Sequence, residues 1–280
     1  MIKLGVNTAG KVVITKQTTP PSVYFDNWAF MDIVEDNLIA ERFTRTLKSR
    51  NGTLEFSFMN LLEFSEINDS SQINKIELFL ESVMPNLCFI DVIPNRVIDR
   101  EDKILRKQLK DPPHWNKELL NFFATMKRQS LNPLSIKGLL SDLRDPKIII
   151  KCKTFMLDLV ESFERLRKKS KSDPKYRAEI SVVTRGVILE RATRYIYRDS
   201  VNSIIRDNIN LSNSNHWRDL FHMIVPIAYC DFVLLDKMWA DRARKTITRL
   251  RHIGQTAEMA RVFSKKDLNN FWKIFEEEGQ

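Results

Sequence analysis

The amino-acid sequence predicts an α/β fold in which a central parallel sheet lies between layers of helices. Short apolar runs typical of buried strands alternate with segments of helical spacing, and this alternation favours a parallel sheet covered on both faces. Glycine is scarce, with 7 among 280 residues, which disfavours a β-barrel or propeller with many tight turns. A hydrophobic fraction of 43% is sufficient for a sizeable core.

The amino-terminal third contains the first three strands of the predicted sheet. Two short apolar runs around a turn, residues 2–6 and 12–14, predict a small strand pair that precedes the sheet. Three further runs are short, apolar and bounded by turn residues, as buried strands are. These strands are predicted at 22–26, 53–57 and 87–93. Helical spacing predicts helices at 34–50, 60–64 and 71–84.

A long helical segment separates these strands from the remainder of the sheet. Its clearest helix is 148–167, where apolar residues recur every three or four positions; the pattern favours an internal packed helix over a dimer contact. The α/β pattern then returns with a helix at 219–230, a strand at 231–235, a helix from 236, a strand at 261–264 and a helix at 266–278. We therefore predict one discontinuous domain, residues 1–94 and 211–280, with an α-helical insertion at 95–210.

The net charge of +9 is unevenly distributed along the chain. Residues 151–198 contain 13 Lys and Arg against 6 Asp and Glu, and so account for +7 of it. A basic segment suits a polyanionic partner such as nucleic acid, because each neutralised phosphate releases counterions. A solvated helix face accounts for the same charge equally well.

Several functional classes are disfavoured by the sequence. Cys88, Cys152 and Cys230 are far apart in apolar runs, which indicates buried thiols rather than disulfides or a zinc site. The phosphate-binding patterns GxGxxG and GxxxxGKS/T and the nucleophile pattern GxSxG are missing. The first residues lack the apolar core of a signal peptide, and no stretch is long enough to span a bilayer. We therefore expect a cytoplasmic protein without a membrane partner.

Four carboxylates that are distant in sequence are predicted to meet at one edge of the sheet. Asp26 ends the first strand of the sheet, and Glu63 lies one turn into the helix after the second. Asp219 opens the helix before the fourth strand, and Asp236 ends that strand. The functional edge of a parallel sheet is the one at the carboxyl ends of its strands. Clustered carboxylates repel one another, so we expect Mg²⁺ or Mn²⁺ among them and phosphodiester hydrolysis as the chemistry.

The blocks around these acids resemble the successive motifs of the PIN-domain family. The blocks are Val23-Tyr-Phe-Asp26-Asn27, Ser57-Phe-Met-Asn-Leu-Leu-Glu63, Asp219 with the apolar residues 224–229, Cys230-Asp-Phe-Val-Leu-Leu-Asp236-Lys237, and Val262-Phe-Ser264 before a last helix. Their order matches the family over residues 21–94 and 214–280, about half of the chain. The resemblance implies a three-layer α/β/α fold and cleavage, usually of RNA, that depends on Mg²⁺ or Mn²⁺.

By position, the resemblance assigns a role to each of the four acids. Asp26, Glu63 and Asp219 match the first three acids of the family, and Asp236 matches a more variable fourth. Asn27 stands where the family often has a polar residue that supports the first acid. Many relatives are toxins, so a toxin or antiviral effector is a candidate role. An inhibitor, a regulatory protein or a second copy of the chain is a candidate partner.

Basic residues supply the candidate nucleic-acid surface. Those proposed for it are Lys168, Lys169, Lys171, Arg191, Arg194 and Lys237. Trp28 and Trp239 could stack on a base beside the site, but core packing is the favoured interpretation. We expect RNA rather than DNA as the substrate, because of the resemblance.

Helix capping is an alternative role for the acids at strand ends. Any single acid at such a position is accounted for as well by capping, although four such positions are harder to attribute to capping alone. The group Asp32, Glu35 and Asp36 is interpreted as a solvated first turn, and Glu66 as a substitute ligand. Asp231 begins a strand and so belongs to the opposite edge.

The two histidines near Asp219 are not predicted to bind metal. His216 and His222 are six residues apart, which misses the helical ligand spacing, and both are assigned surface or capping roles. A haloacid dehalogenase-type phosphatase would need an acid where Trp28 stands. The main alternative to a nuclease is a PIN-like module that binds nucleic acid or protein without cutting.

Overall fold

The computed structural model describes residues 2–6, 12–119, 161–162, 164–181, 192–206, 214–252 and 258–277. Most of the apolar seam predicted at 148–167, together with Cys152 and Arg191, lies outside these residues. The predicted strand pair is confirmed as β1 (Ile2–Val6) and β2 (Val12–Lys16), which form a separate antiparallel sheet.

The central sheet has five parallel strands, which confirms the predicted three-layer α/β/α class. The strands are β3 (Ser22–Phe25), β4 (Thr53–Ser57), β5 (Leu87–Ile90), β6 (Phe232–Leu234) and β7 (Arg261–Phe263). Their order across the sheet is β5-β4-β3-β6-β7, with every neighbouring pair parallel. β3 is therefore central, and it pairs with β6 although some 200 residues separate the two in sequence.

Helices cover both faces of the sheet. They are α1 (Asn27–Glu35), α2 (Asn37–Ser49), α3 (Phe58–Ser65), α4 (Ser70–Val83), α5 (Pro94–Leu105), α6 (Pro174–Ser181), α7 (Ala192–Arg206), α8 (Ser214–Tyr229), α9 (Lys237–His252) and α10 (Leu268–Glu277). Residues 164–172 are helical as well. None of the helices in the described residues combines the length and the apolar character needed to cross a membrane.

The helix predicted at 34–50 corresponds to α2 and the last two residues of α1, and most of α1 was not predicted. α1 begins directly after Asp26, and Asp36 separates it from α2. Asp36 caps α2 by accepting hydrogen bonds from the backbone N–H groups of Leu38 and Ile39, at 2.9 and 3.2 Å, so it is a cap rather than part of a solvated first turn. The Asn-Gly stop signal is confirmed, since α2 ends at Ser49 and Asn51 has a positive φ of 53°. A Cβ on Gly52 would also approach the Pro21 carbonyl oxygen to 2.6 Å.

Two other boundaries differ from the prediction. Asp219 does not open its helix, because α8 begins at Ser214 and Asp219 lies in its second turn. β5 ends at Ile90 instead of residue 93, and the backbone N–H of Asp91 donates to the His114 carbonyl oxygen at 2.7 Å. Both differences arise because tertiary partners decide where helices and strands end.

Side chains alternate between two contrasting faces of the sheet. The aromatic face consists of sheet residues Val23, Phe25, Leu54, Phe56, Phe89, Phe232 and Leu234 packed against α1, α2, α4 and α10. The polar face presents the sheet residues Tyr24, Glu55, Ser57 and Cys88, together with the apolar Ile90 and Val233, beneath α5, α7, α8 and α9. Val97 of α5 and Ile196 of α7 belong to the same buried cluster as Trp217 of α8. The described part of the predicted insertion therefore helps to cover the polar face.

The thiol prediction is confirmed for the two cysteines that the structure describes. Cys88 and Cys230 are both buried and free. Burial raises the pKa of each thiol, that of Cys88 to about 12. These thiols therefore stay protonated and behave as core side chains.

Candidate active site

Asp26 joins the carboxyl ends of the two central strands, β3 and β6. Its Oδ1 accepts a hydrogen bond from the backbone N–H of Ala29 at 3.2 Å, which caps α1. Its Oδ2 accepts from the backbone N–H of Asp236 at 2.7 Å, and its own N–H donates to the Leu234 carbonyl oxygen at 3.0 Å. Asp26 and Asp236 therefore lie together at the carboxyl edge of the sheet.

Asp219 and Asp236 are joined through Trp239. The indole Nε1–H of Trp239 donates to Asp219 Oδ2 at 2.9 Å, and its backbone N–H donates to Asp236 Oδ1 at 3.0 Å. Trp239 is only 1% exposed, so core packing is confirmed for this residue. Because the indole N–H and the backbone N–H of Trp239 each contact one carboxylate, the packing of α9 positions two of the four acids.

Glu63 contacts a histidine that the sequence analysis placed at the surface. Oε2 of Glu63 lies 3.2 Å from Nε2 of His222, and the two side chains are 10% and 1% exposed. The surface or capping prediction for His222 is therefore wrong. A usable signal was present, since His222 lies between Phe221 and Met223 in an apolar run and three residues after Asp219.

The acids perturb one another electrostatically. Burial raises the pKa of Asp26 well above its usual range, and the nearby charge of Glu63 adds to the rise. Burial together with the charges of Asp236 and Glu63 raises the pKa of Asp219 to about 6. The structure thus brings all four predicted acids within electrostatic reach of each other at one edge.

The charge of His222 responds to the same cluster. Burial by itself lowers the pKa of His222, but the carboxylates of Glu63, Asp26 and Asp219 outweigh burial and raise the pKa above its usual value. The acids around His222 therefore favour its protonated form.

A chain of hydrogen bonds with a determined direction leads to His222. The Asn60 amide is oriented by the backbone, because its Nδ2 donates to the Phe25 carbonyl oxygen at 3.0 Å and its Oδ1 accepts from the Ser57 N–H at 3.0 Å. Ser57 Oγ donates its single proton to Asn60 Oδ1 at 2.8 Å. Tyr24 must therefore donate to Ser57 Oγ, at 2.9 Å, and can only accept from Nδ1 of His222.

Glu66 is occupied by a separate ion pair between the same two helices, α3 and α8. Arg218 Nη1 and Nη2 donate to its two carboxylate oxygens, each at 2.7 Å. This bidentate pair lies one helical turn from the contact between Glu63 and His222. Glu66 is thus engaged by Arg218 in this structure, and Glu63 is the acid of α3 that contacts His222.

The remaining predicted acids and their neighbours lie where no chemistry is evident. Asp231 Oδ2 accepts from the N–H and Oγ of Ser22 at 2.6 and 2.8 Å, which confirms that it belongs to the opposite, amino edge. Asp32 pairs with Lys265 at 2.7 Å. Oδ1 of Asn27 is buried and, among the described residues, has no hydrogen-bond partner, so no direct support of Asp26 by Asn27 is seen.

The predicted basic residues differ in their environments. Lys237 is exposed and directly follows Asp236, so it is the one that is adjacent to the acids. Arg194 donates to Asp102 at 2.6 Å, and Lys169 lies 4.6 Å from the ring centre of Tyr176. Lys168 and Lys171 are exposed in the helical residues 164–172.

The donor chemistry of the site fits Mg²⁺ or Mn²⁺, because the four acids offer only carboxylate oxygens. Among the described residues, however, no three His, Cys, Asp or Glu side chains are arranged as a ready-made metal cage. The acids are instead held by protein donors, such as the N–H groups that Asp26 accepts. Mg²⁺ commonly keeps several waters and uses one or two carboxylates, so a complete protein cage is not required.

Comparisons with protein-family models, with curated proteins and with solved structures found no match.

Proposed function

We propose that this chain is a PIN-like, Mg²⁺- or Mn²⁺-dependent nuclease that hydrolyses phosphodiester bonds, with RNA favoured over DNA. The observation that supports this proposal is the convergence of Asp26, Glu63, Asp219 and Asp236 at the carboxyl edge of a parallel sheet. Acids that raise each other's pKa are costly to bury, and a cation would relieve that cost. The PIN-like motifs of the sequence favour the same chemistry.

Each acid has a proposed role in the reaction. Asp26, Glu63 and Asp219 would bind the metal, and Asp236 would complete the set. When bound, the ion supplies activation of the attacking water and stabilisation of the charge that develops on the phosphate. Trp239 keeps two of the acids oriented, and its buried ring excludes water behind them.

The substrate would approach from the exposed side of the same edge. Lys237 is exposed beside Asp236 and would contact a phosphate. Lys168, Lys169, Lys171, Arg191 and Arg194 are proposed as a further nucleic-acid surface. A toxin or antiviral role in the cytoplasm, with an inhibitor protein or a second copy of the chain as a partner, belongs to the same proposal.

A cleavage assay with a matched charge control tests the proposal. Purified protein is incubated with labelled RNA and DNA in Mg²⁺, in Mn²⁺ or in chelator. We expect RNA cleavage that chelator abolishes and that Asp26→Asn reduces by about a hundredfold or more. Asp32→Asn makes the same chemical change at a surface ion pair on α1 and should leave the rate within about twofold. Cleavage that persists in chelator, or in Asp26→Asn, would contradict the proposal.

A second candidate function is a PIN-like module that binds nucleic acid without cutting it. Two observations favour it: the described residues contain no ready-made metal cage, and both Asp26 oxygens already accept backbone hydrogen bonds. This alternative predicts equal RNA affinity with metal and with chelator, and no cleavage under either condition. Fluorescence anisotropy with labelled RNA, followed by electrophoresis of the same sample, distinguishes the two functions.

A further inference from the structure

The contact between His222 and Glu63 supports an inference that rests on the proposed nuclease function. We propose that His222 is a positioning residue that holds Oε2 of Glu63, so that Oε1 is presented to the metal. The supporting observation is the geometry of the hydrogen bonds that converge on the imidazole ring of His222.

The ring of His222 is held at both nitrogens in a fully enclosed environment. Nε2 contacts Glu63 Oε2 at 3.2 Å, and Nδ1 contacts the Tyr24 hydroxyl, which in turn donates to Ser57. Tyr24 and Ser57 are both 0% exposed, and His222 is 1% exposed. Since water cannot compete for these bonds, the ring has one orientation, and Glu63 loses the rotational freedom of a long side chain.

The hydrogen-bond chain ends on the backbone at the carboxyl ends of two strands. Asn60 donates to the carbonyl of Phe25, the last residue of β3, and accepts from the N–H of Ser57, the last residue of β4. Phe25 directly precedes Asp26. The hydrogen-bond chain therefore fixes Glu63 relative to the same strand end that carries Asp26, the first acid.

The hydrogen bonds leave the two oxygens of Glu63 unequal. Oε2 is engaged by His222, whereas Oε1 accepts no hydrogen bond from the residues that the structure describes. Asp26 differs, since both of its oxygens accept from backbone N–H groups. Glu63 thus has one oxygen held and one oxygen available, as a ligand supported by a neighbouring side chain requires, and Asp219 and Asp236 are likewise held at one oxygen each, by Trp239.

The adjacent ion pair provides an internal control for this role. Arg218 and Glu66 join α3 to α8 one turn away from Glu63 and His222, and both oxygens of Glu66 are used. Removing Arg218 breaks a contact between the same helices and removes one positive charge, but it leaves the support of Glu63 in place. A purely electrostatic role of His222 would give the two substitutions effects in the same direction.

Metal binding measured without substrate tests the positioning role. Mn²⁺ alone is titrated into the full chain, and the free ion is followed by electron paramagnetic resonance. We expect His222→Phe to weaken Mn²⁺ binding by about ten- to a hundredfold, as loss of a supporting residue does. His222→Gln, which retains an N–H donor near the Nε2 position, should recover part of the affinity. Arg218→Met should not weaken binding.

The direction of the change separates positioning from simple charge effects. Loss of a buried cation should tighten metal binding if His222 acts only through its charge, so unchanged or tighter Mn²⁺ binding in folded His222→Phe would overturn the inference. If that variant does not fold, Tyr24→Phe provides the test. It removes the hydroxyl that contacts Nδ1 of His222 and leaves the imidazole ring in place. For Tyr24→Phe we expect about three- to tenfold weaker binding, and unchanged affinity would overturn the inference.

Activity measurements add a second readout and separate this inference from the proposed function. Folded His222→Phe should lower kcat for RNA while KM stays within about twofold, because Glu63 does not hold the substrate itself. A wild-type protein that neither binds Mn²⁺ nor cleaves RNA would refute the nuclease proposal. A wild type that does both, beside a His222→Phe variant with full Mn²⁺ affinity, would refute only the positioning role.

Discussion

The two faces of the central sheet have opposite characters. The aromatic face is an unbroken apolar layer in which phenylalanine rings contact one another across strands and helices. Phe43 of α2, for example, has ring centres within 4.9 to 6.5 Å of Phe25, Phe79, Trp272 and Phe275. The polar face instead buries ionisable groups, including Glu55 in mid-sheet and His222 above the strand ends.

The difference indicates that the aromatic face mainly stabilises the fold, whereas the polar face carries the residues of the candidate site. Burial of aromatic rings stabilises the fold by about 2 to 3 kcal/mol for each side chain. Buried acids cost free energy unless they are neutralised or paired, and several on the polar face have a raised pKa for that reason. We infer that the stability of the aromatic face offsets the cost of burying ionisable groups on the polar face.

The largest effect is expected on the aromatic face. Phe43→Ala removes a ring that is 0% exposed and leaves a cavity in the aromatic layer. We expect the free energy of unfolding to fall by about 4 kcal/mol in urea denaturation. The activity of the remaining folded protein should be unchanged, because Phe43 lies on the face opposite His222. A loss below about 1 kcal/mol would show that the layer can close around the cavity.

The second effect concerns Glu55 on the polar face and depends on pH. Burial raises the pKa of Glu55 from 4.5 to about 7, so the folded state binds its proton more tightly than the unfolded state. The contribution to stability is complete below about pH 4.5 and is lost as pH rises through about 7. The loss amounts to roughly 3 kcal/mol at most.

Glu55→Gln should remove this pH dependence, since an amide cannot ionise. We expect the variant to be more stable than wild type at about pH 8 and about equally stable at about pH 4, measured by thermal unfolding across that range. The exposed Glu41→Gln serves as the control and should follow wild type. Parallel pH profiles for wild type and Glu55→Gln would contradict the prediction.

The smallest effect is expected at Asp219, the more exposed of the two acids of the candidate site whose pKa is raised. Its pKa is raised to about 6, so ionisation destabilises the fold above that pH when no metal is present. The side chain is 29% exposed, and we therefore expect Asp219→Asn to stabilise the protein by only about 1 kcal/mol at about pH 8 in chelator. The Asn side chain can still accept from Trp239. Destabilisation in the metal-free state would show that burial and the neighbouring charges do not raise the pKa of Asp219.

Much of the fold could be predicted from the sequence, because local residue patterns determine its strands and helices. The apolar runs that became β3, β5 and β6 contain few polar residues, and buried parallel strands favour this composition. The stop at Asn51-Gly52 and the acidic positions at strand ends depend only on neighbouring residues. Asp26 and Asp236 were therefore predicted at the correct edge.

Other features depend on contacts between distant segments. Asp36 separates α1 from α2, and the periodicity of the apolar residues in the helix predicted at 34–50 runs through this break. The burial of His222 follows from the packing of α8 over Tyr24, which lies 198 residues earlier in sequence. No local pattern specifies such a partner.

By itself, the sequence determined the α/β class, the positions of the main strands and the set of four candidate acids, because hydrophobic periodicity and helix signals act over a few residues. Only the tertiary structure decided that β6 lies beside β3, that Trp239 joins Asp219 to Asp236, and that His222 contacts Glu63. These choices depend on packing and on hydrogen-bond direction between segments that are far apart in the chain.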